Sequence, residues 1–340
     1  MTVPPRLVDV ARRAGVSLST ASRVLGGSRD RVTPQLRNRV LAAAAELNYV
    51  PNAPARALAR ATTPTLGLIV HDVSDPYFAE IARGVLRVAD DAGLMVMICN
   101  SHRDPERELD YIQALRSQRV QAIVLAGSGY RDVDAERDAA VELRAFEASG
   151  GRAAVVGRHR LPVDAVLPDN ADGGSAMGKV LTDLGHERIG VVAGPPGLTT
   201  VEDRLRGFRE ALSEAGVDLP ASAVVHADFT RDGGWEATAR LLDVAPDVTG
   251  IFALNDAMAV GALAALRHRR IGVPGRMSLA GFDDIPIASD VDPALTTVRL
   301  PMVHMGAEAV RLTLRARSGR PRRRRLVSEV ITRDSTGPPR

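Results

Sequence analysis

The sequence predicts an N-terminal all-α helix-turn-helix headpiece, a hinge, and an α/β core of two lobes, each built on a doubly wound parallel sheet. Within residues 1–50, apolar side chains recur at helical spacing in three short segments. From residue 65 onward, short continuous apolar runs alternate with amphipathic segments of roughly 10–15 residues, which is typical of strands buried on both faces. These runs are too numerous for one compact sheet and favour two lobes.

The headpiece helices follow from spacing and capping residues. A first helix is predicted over 7–14, and Gly15 suits the positive φ at its C-terminus. Ser17 can cap a second helix over roughly 18–25. A third helix is predicted to begin near Thr33, where a capping hydroxyl precedes a proline. Three short helices joined in this way indicate a helix-turn-helix unit.

The apolar runs predict the strands of the core. They are LGLIV (66–70), LMVMIC (94–99), AIVLA (122–126), AAVVG (153–157), IGVVAG (189–194), GIFAL (250–254) and MSLAGF (277–282), with a short strand VVHAD before Phe229. In such folds ligands bind at the carboxyl ends of the strands. The residues that follow these runs are therefore candidates for a ligand site.

Composition excludes several classes of protein. The 340 residues are 45% hydrophobic and 25% charged, as in ordinary globular proteins, which excludes a disordered or collagen-like chain. No apolar run reaches the roughly 18 residues of a membrane helix, and the N-terminus MTVPPRLVDVARRAG lacks the apolar core of a signal peptide. We therefore expect a cytoplasmic protein without membrane contact. Cys99 is the only cysteine, which excludes an internal disulfide and a cysteine-built zinc site.

The charge is unevenly distributed along the chain. Residues 1–64 contain ten arginines and three acidic residues, a net charge of +7. The remaining 34 basic and 38 acidic residues give −4, so the whole chain carries +3. A basic head on a mildly acidic body is typical of polyanion binding, although a solvated basic tail would give the same balance.

Motifs along the whole chain resemble the lac/gal repressor family. They are LVDVARRAGVSLSTASRVLGG, VTPQLRNRVLAAAAELNYVPNAPARALA, TLGLIVHDVSDPYFAEIARGV, QAIVLAGS, LGHERIGVVAGP, RLRGF, FALNDAMAVGAL, SLAGFDDIP and TTVRLP, in this order. The resemblance implies a periplasmic-binding-protein-like core behind the headpiece. It also implies a homodimeric transcriptional regulator, most simply a repressor. A small sugar-like effector in the cleft between the lobes would change its affinity for a near-palindromic operator.

The second headpiece helix is expected to lie in the major groove of DNA. Arg23 is long enough for a bidentate contact to guanine, although a phosphate contact or a solvated charge is an alternative. Leu18 can reach base edges or pack onto its own domain. The residues of this unit predicted to contact DNA are Ser17, Leu18, Ser19, Thr20, Ser22 and Arg23.

A hinge is expected between the headpiece and the core. In the family this segment folds into a helix on the operator and a leucine wedges into the minor groove; Leu58 matches that leucine. Asn52 and Arg56 are the other hinge residues predicted to contact DNA. Pro54 departs from the small or β-branched residue usual in the family. The alternative is a plain linker.

The predicted boundaries follow the composition of the chain. They are 1–50 for the headpiece, 51–64 for the hinge, and 65–340 for the core, with a first lobe of 65–162 plus 287–300 and a second lobe of 163–286 plus 301–340. The chain is expected to cross between the lobes near 160–165 and 285–300. The basic run RPRRRR (320–325) is expected in a loop of the second lobe, and a second nucleic-acid contact is the alternative.

The candidate effector residues follow the predicted strands, except for Arg204, which lies in RLRGF and matches the family's effector-contacting arginine. They are Asp75, Tyr77, Phe78, Ser128, Arg158, His159, Arg204, Phe229, Asn255 and Asp283. Carboxylates accept from sugar hydroxyls, Arg and Asn donate to sugar oxygens, and aromatic rings cover the apolar side of a pyranose. Arg158 and His159 lie where the family varies most.

Each of these residues also has a structural explanation. Asp283 could fix its own loop through an Asx turn. Arg204 could form an ion pair that braces the lobes, and Asn255 could cap the helix that follows it. Phe78 could be a core residue, and Tyr77 and Phe229 are evenly balanced between the two roles.

Other classes of function fit the sequence less well. GSGYRD (127–132) begins like a dinucleotide loop but lacks its third glycine, and neither a Walker loop nor GxSxG occurs. The sequence therefore predicts neither an enzyme nor a cofactor nor a metal site. A transporter's solute-binding protein would share the core but not the basic head. A general DNA-binding protein would not explain the predicted cleft between the lobes.

Overall fold

The computed structural model describes residues 5–26, 32–49 and 63–340, and the chain divides into two compact units, Met1–Thr63 and Pro64–Arg340. The first unit is helical in its described part. Its helices are α1 (Leu7–Ala14), α2 (Leu18–Leu25) and α3 (Pro34–Glu46). These bounds confirm the three helices expected from spacing and capping residues.

A small apolar core and three caps hold the headpiece helices. The buried core residues are Val10, Ala11, Ala14, Ala21, Val24, Val40, Ala43 and Ala44. Gly15 ends α1 with a φ of 62°, a left-handed conformation that glycine adopts without a steric penalty. The side chain of Ser17 accepts the Thr20 N–H at 3.2 Å, and that of Thr33 accepts the Leu36 N–H at 3.4 Å. The predicted capping residues are therefore confirmed.

From Thr63 onward the chain alternates strands and helices. The strands are β1 (Thr63–Val70), β2 (Met95–Asn100), β3 (Val120–Ala126), β4 (Arg152–Val156), β5 (Asp164–Pro168), β6 (Ile189–Ala193), β7 (Val224–His226), β8 (Gly250–Ala253), β9 (Ser278–Ala280), β10 (Thr297–Arg299), β11 (Arg323–Leu326) and β12 (Glu329–Ile331). The helices are α4 (Pro76–Asp91), α5 (Pro105–Ser117), α6 (Arg137–Ala148), α7 (Asn170–Asp183), α8 (Thr199–Glu214), α9 (Arg231–Val244), α10 (Asp256–His268) and α11 (Met302–Leu314).

Two sheets organise this second unit. One has six strands in the order β11-β5-β4-β3-β1-β2, and the other has four in the order β7-β6-β8-β9. We call the first sheet with its helices the first lobe. The second sheet with its helices and the antiparallel β10–β12 pair is the second lobe. The strands predicted from apolar runs are present, and most of these runs are buried in the sheets, as in β6, where all five residues are buried. β2 is the exception, because it is an edge strand and partly exposed.

The lobe boundaries differ from those expected. Residues 164–168 and 323–326 form neighbouring parallel strands of the first lobe, with Ala165 opposite Arg323, although the sequence placed both in the second lobe. Helix α11 packs against α4 and β4 and also belongs to the first lobe. Residues 297–299 pair with β12 in the second lobe instead of returning to the first. The chain therefore crosses between the lobes after β5, after β10 and after β11.

The predicted location of the basic run 320–325 is also wrong. Its second half is an edge strand of the first lobe, not a loop of the second. Three of its five arginines, Arg322, Arg324 and Arg325, pair with carboxylates: Arg322 Nη1 lies 3.0 Å from Asp164 Oδ2, and Arg325 Nη2 lies 2.7 Å from Asp169 Oδ1. Charged side chains on an edge strand discourage pairing with another sheet edge. This paired positive charge gives no support to a second nucleic-acid contact.

The described residues contain neither a candidate membrane span nor a candidate metal cluster. None of the helices there has the length and apolar character needed to cross a membrane. No cluster of three or more His, Cys, Asp or Glu side chains among those residues could hold a metal ion.

Candidate functional site

The exposed face of α2 carries the side chains predicted to contact DNA. Ser17, Leu18, Ser19, Ser22 and Arg23 are exposed, and Thr20 is half-buried. Leu18 is 52% exposed and is not among the residues that pack against the described headpiece core. On the opposite face, Ala21 and Val24 are buried in the core. The helix therefore presents one polar face that is free to approach a groove.

Arg23 and Ser17 differ in the contacts that they make within the headpiece. The ion pairs of the described headpiece residues are formed by Arg12 and Arg13, so the Arg23 guanidinium is not held by a carboxylate there. The hydroxyl of Ser17 lies 2.8 Å from that of Thr20 and also caps α2. Ser17 thus has a structural role of its own.

The hinge residues fall outside the described residues. Asn52, Pro54, Arg56 and Leu58 all lie within 50–62. Their predicted contacts with DNA remain predictions.

A cavity that is partly open to solvent lies between the lobes at the carboxyl ends of both sheets. This is where the rule for doubly wound sheets places a ligand. Most of the predicted effector residues line it. They are Asp75, Tyr77, Phe78, Ser128, Arg204, Phe229, Asn255 and Asp283.

Arg204 organises the wall formed by the second lobe. Its side chain is buried, and its Nε donates to Asn170 Oδ1 at 2.9 Å. One Nη donates to the carbonyl of Leu254, and the other donates to Asp283 Oδ1 at 2.7 Å. The guanidinium also stacks 3.8 Å from the centre of the Phe282 ring. A charge with these partners is fixed in one orientation before any ligand arrives.

Asp283 is buried and its backbone is strained. Its φ is 107°, a conformation that residues other than glycine rarely adopt and that often marks functional sites. Burial raises the pKa of the Asp283 carboxyl to about 7, while Arg204 lowers it and Asp75 raises it. Within the described chain, Oδ1 is the carboxylate oxygen that bonds to Arg204, and the bond is not to the local backbone. The Asx-turn alternative is therefore wrong.

Asn255 and Ser128 line the cavity and also form hydrogen bonds that stabilise the fold. Asn255 Oδ1 accepts the Met258 N–H at 2.9 Å, which confirms that it caps α10. The Ser128 hydroxyl accepts the Thr200 N–H at 2.9 Å and so joins the first lobe to the second. In Asn255 the amide NH₂ group is the part left for a ligand.

Aromatic rings form the apolar walls of the cavity. Tyr77 and Phe78 open α4 and meet edge to face, with 5.0 Å between ring centres. Asp75 caps that helix by accepting the Tyr77 N–H at 3.0 Å. Phe229 follows β7 in the second lobe and is buried. Phe78 is both a core residue and part of the wall.

Arg158 and His159 are not in the lining of this cavity. Arg158 Nε lies 2.7 Å from Asp203 Oδ2, in an ion pair that spans the two lobes. His159 is buried, with Nδ1 2.8 Å from Glu136 Oε1 and Nε2 3.1 Å from the Gly127 carbonyl. Both side chains are occupied by other partners, and we leave them out of the proposed effector site.

The cavity also contains residues that the sequence did not single out. They are His71, Arg103, Gly127, Gly157, Pro168, Leu198 and Thr200. His71 directly follows β1, so the rule of strand ends could have found it. Its Nε2 lies 2.9 Å from Glu108 Oε1, and burial lowers its pKa. Arg103 lies in a loop with a φ of 62°, and no sequence pattern predicts its place in the cavity.

A basic helix-turn-helix unit and a two-lobed α/β core with a cavity between its lobes are the combination expected of a DNA-binding regulator. Residues 6–52 match the family described as bacterial regulatory proteins, lacI family. Residues 179–336 match the periplasmic binding protein-like domain. The transcriptional regulator DegA of Bacillus subtilis is 35% identical over 336 residues, which cover 98% of each chain. The chain therefore belongs to the LacI family of bacterial transcriptional regulators.

Solved structures support the same assignment. The complex of the transcriptional regulator CelR with cellobiose is 33% identical, with a TM-score of 0.71 over 97% of this chain and 99% of that one. The lac repressor dimer bound to operator and the anti-inducer ONPF is 26% identical, with a TM-score of 0.85 over 98% of this chain and 100% of that one.

Proposed function

We propose that this protein is a homodimeric repressor that binds a near-palindromic operator and changes its operator affinity when a sugar occupies the cavity between the lobes. The observation that carries the proposal is the wall around Arg204, where a fixed cation, the Asp283 carboxylate and the Asn255 amide face aromatic rings. Fixed donors and acceptors beside aromatic rings suit a ligand with polar edges and an apolar face.

Similar proteins support a sugar as the effector. CelR was solved with cellobiose and is similar to this chain over nearly its whole length. The cavity has two arginines, Arg103 and Arg204, and two carboxyl groups, Asp75 and Asp283, so its charges balance when both carboxyl groups are ionised. A charge-balanced cavity favours a ligand without net charge.

An exposed apolar surface on the first lobe supports the dimer. β2 lies at the edge of the six-stranded sheet, where Met95 is 64% and Ile98 is 45% exposed. On the neighbouring helix α4, Leu86 is 46% exposed. An exposed apolar edge strand favours association. A second copy on this face would supply the second headpiece that a two-fold operator requires.

The effector would act by favouring one arrangement of the lobes. A ligand in the cavity touches both lobes, and it can shift an equilibrium only by its differential affinity for the two states. Hydrogen bonds already join the lobes beside the cavity, from Thr200 N–H to Ser128 and from Thr199 N–H to the Gly129 carbonyl at 2.9 Å. We propose that the protein works by binding alone, without catalysis, on operator DNA in the cytoplasm.

The test begins with DNA. Selection from a random duplex library should enrich one near-palindromic site, whose affinity is then measured by fluorescence anisotropy with each of a panel of sugars. We expect one sugar to change the operator affinity by roughly 5–150-fold, the usual range of allosteric coupling. Binding to DNA without sequence preference at physiological salt would contradict the proposal that the protein is an operator-specific regulator. The absence of a response to every sugar would contradict the proposal that its effector is a sugar.

A further inference from the structure

A second, larger space lies next to the cavity at one mouth of the cleft, and the two spaces share lining residues. This space, which we call the outer subsite, is also partly open to solvent. Arg103 and Leu198 line both the cavity and the outer subsite. A ligand that fills the cavity can therefore extend past these two side chains without leaving the cleft.

Both lobes contribute polar groups to the outer subsite. His102 and Asp132 come from the first lobe, and Asp228 and Thr230 come from the second. Within 63–340 the Asp228 carboxylate is neither hydrogen-bonded nor ion-paired, so both of its oxygens can accept. One carboxylate oxygen of Asp132 accepts the Asp134 N–H at 2.9 Å, and the other oxygen remains available to accept from a ligand. The subsite thus has acceptors for hydroxyl donors.

The floor of the outer subsite is apolar. Pro195 and Pro196 follow β6 and lie beside Leu198. A surface of ring methylenes next to free carboxylates matches a second sugar ring, whose C–H face and hydroxyl rim need these two environments at once. Two carboxylates with one guanidinium also disfavour a phosphorylated or acidic ring.

The opposite mouth of the cleft lacks these properties. Several of its polar groups already have partners: Ser74 Oγ donates to Asp72 Oδ1 at 2.6 Å, and Arg231 pairs at 2.7 Å with Asp232, which lies outside the lining. Much of the remaining wall there is aliphatic, including Ile287. A polar extension of the ligand therefore fits the outer subsite and not the opposite mouth.

Arg103 stands at the junction between the two spaces. Its guanidinium carbon lies 5.7 Å from the centre of the Phe229 ring, in the other lobe, and Nη2 lies 3.8 Å from Asp75 Oδ2. Neither contact uses up the five N–H donors of an arginine. Arg103 can therefore donate to oxygens on both sides of a glycosidic bond.

We propose that the effector is a neutral disaccharide, with one ring in the cavity and the other in the outer subsite. This inference rests on the proposed sugar effector and specifies its size and charge. It assigns specificity to Asp228, which touches only the outer ring, and to Arg103, which contacts both.

Isothermal calorimetry on the full chain tests the size of the ligand. The probes are glucose, galactose and ribose, the disaccharides cellobiose, maltose, lactose and melibiose, and glucose 6-phosphate as an anionic probe. We expect one disaccharide to bind at least about tenfold more tightly than either of its own monosaccharides. In the Asp228→Ala variant this advantage should shrink to about threefold or less, with monosaccharide binding unchanged. Asp232→Asn, which alters a nearby carboxylate outside the subsite, is the matched control.

The outcomes separate this inference from the function on which it rests. A monosaccharide that binds as tightly as every disaccharide would overturn the two-ring site and leave the sugar-responsive regulator intact. The same holds if Asp228→Ala weakens both ligand sizes equally, or if glucose 6-phosphate binds most tightly. If no sugar of either size binds while the operator is still recognised, the sugar effector itself is wrong, and the inference falls with it.

Discussion

Arg204 and Asp283 form a buried ion pair with 2.7 Å between Nη2 and Oδ1, and both belong to the second lobe. Arg204 lies on α8, and Asp283 follows β9. The alternative that Arg204 forms a bracing ion pair is therefore confirmed, although the pair joins two elements of the second lobe and not the two lobes to each other. The pair also gives one wall of the cavity a fixed donor and a fixed acceptor.

Asp283→Asn should weaken effector binding. The amide keeps the shape of the side chain and one oxygen for Arg204, but it places a donor where a ligand hydroxyl would donate. A mismatch of this kind costs roughly 1–3 kcal/mol, or about ten- to a hundredfold in affinity. Calorimetry with the effector found in the sugar panel measures the loss. Operator binding without effector should be unchanged.

Two further variants, a matched control and a more severe change, help to interpret the result for Asp283→Asn. Asp218→Asn changes an exposed carboxylate of the same lobe and should bind the effector normally. Arg204→Ala leaves Asp283 buried without its partner and should be worse. If Asp283→Asn binds the effector as the wild type does, the carboxylate has only a structural role.

The raised pKa of Asp283 predicts a pH dependence of effector binding. The pKa is about 7, and the ionised form accepts ligand hydroxyls, so binding favours the deprotonated state. Affinity should rise with pH through about 7 and level off above it, with binding at pH 6 roughly tenfold weaker than the plateau. Calorimetry in buffers of different ionisation enthalpy should show proton release near pH 6. A flat profile in the wild type, or the same slope in Asp283→Asn, would contradict this assignment.

Gly207→Ala should disturb both stability and the site. A Cβ at Gly207 would lie 1.9 Å from the Ala171 carbonyl oxygen, because α7 and α8 approach closely. Moving α8 would displace Arg204, one turn away. We expect a loss of roughly 1–3 kcal/mol in the free energy of unfolding, together with weaker effector binding. Gly275→Ala, with no atom within 4 Å of its Cβ, is the control for thermal and calorimetric measurements.

Arg23→Ala should relax the base preference of the headpiece. If Arg23 contacts a guanine, its removal costs roughly 1–3 kcal/mol at one operator position and leaves the salt dependence nearly unchanged. A phosphate contact would instead weaken all sequences alike and reduce the salt slope by about one. Arg12→Ala removes another exposed arginine, on α1, and controls for the loss of charge. Anisotropy with operators mutated one base at a time decides between these outcomes.

Leu58→Ala tests the hinge. Leu58 matches the family's wedge residue, and loss of such a wedge should weaken operator binding by roughly 1–3 kcal/mol while leaving dimerisation and effector binding intact. Gel-shift titration with circularly permuted operators measures affinity and bending together. Unchanged affinity and bending would make the segment a passive linker.

Local features of the sequence were enough to predict much of the architecture. Gly15, Ser17 and Thr33 delimit the headpiece helices because capping depends only on neighbouring residues. The strands with continuous apolar runs could be predicted because burial on both faces leaves a strong local pattern. The rule that ligands bind at strand ends then located most of the cavity wall.

Features that depend on distant partners could not be predicted. β11 is a run of arginines, and its place in the first lobe depends on β5, which lies more than 150 residues earlier in the chain. The partners of Arg158 and His159 lie on other elements of the fold. The position of Arg158 and His159 after a strand therefore did not show that these two side chains are absent from the cavity lining. Arg103 contacts the cavity through its loop geometry, which carries no sequence pattern.

The three crossings between the lobes have a consequence for fragments and truncations. Because α11 and β11 return to the first lobe late in the chain, a cut after Leu300 would remove one flanking helix and one edge strand from a sheet that begins at Thr63. Neither lobe can be expressed as a single uninterrupted piece. A frameshift or premature stop near that point would therefore damage the first lobe, which carries the exposed edge β2, although the headpiece would still be translated in full.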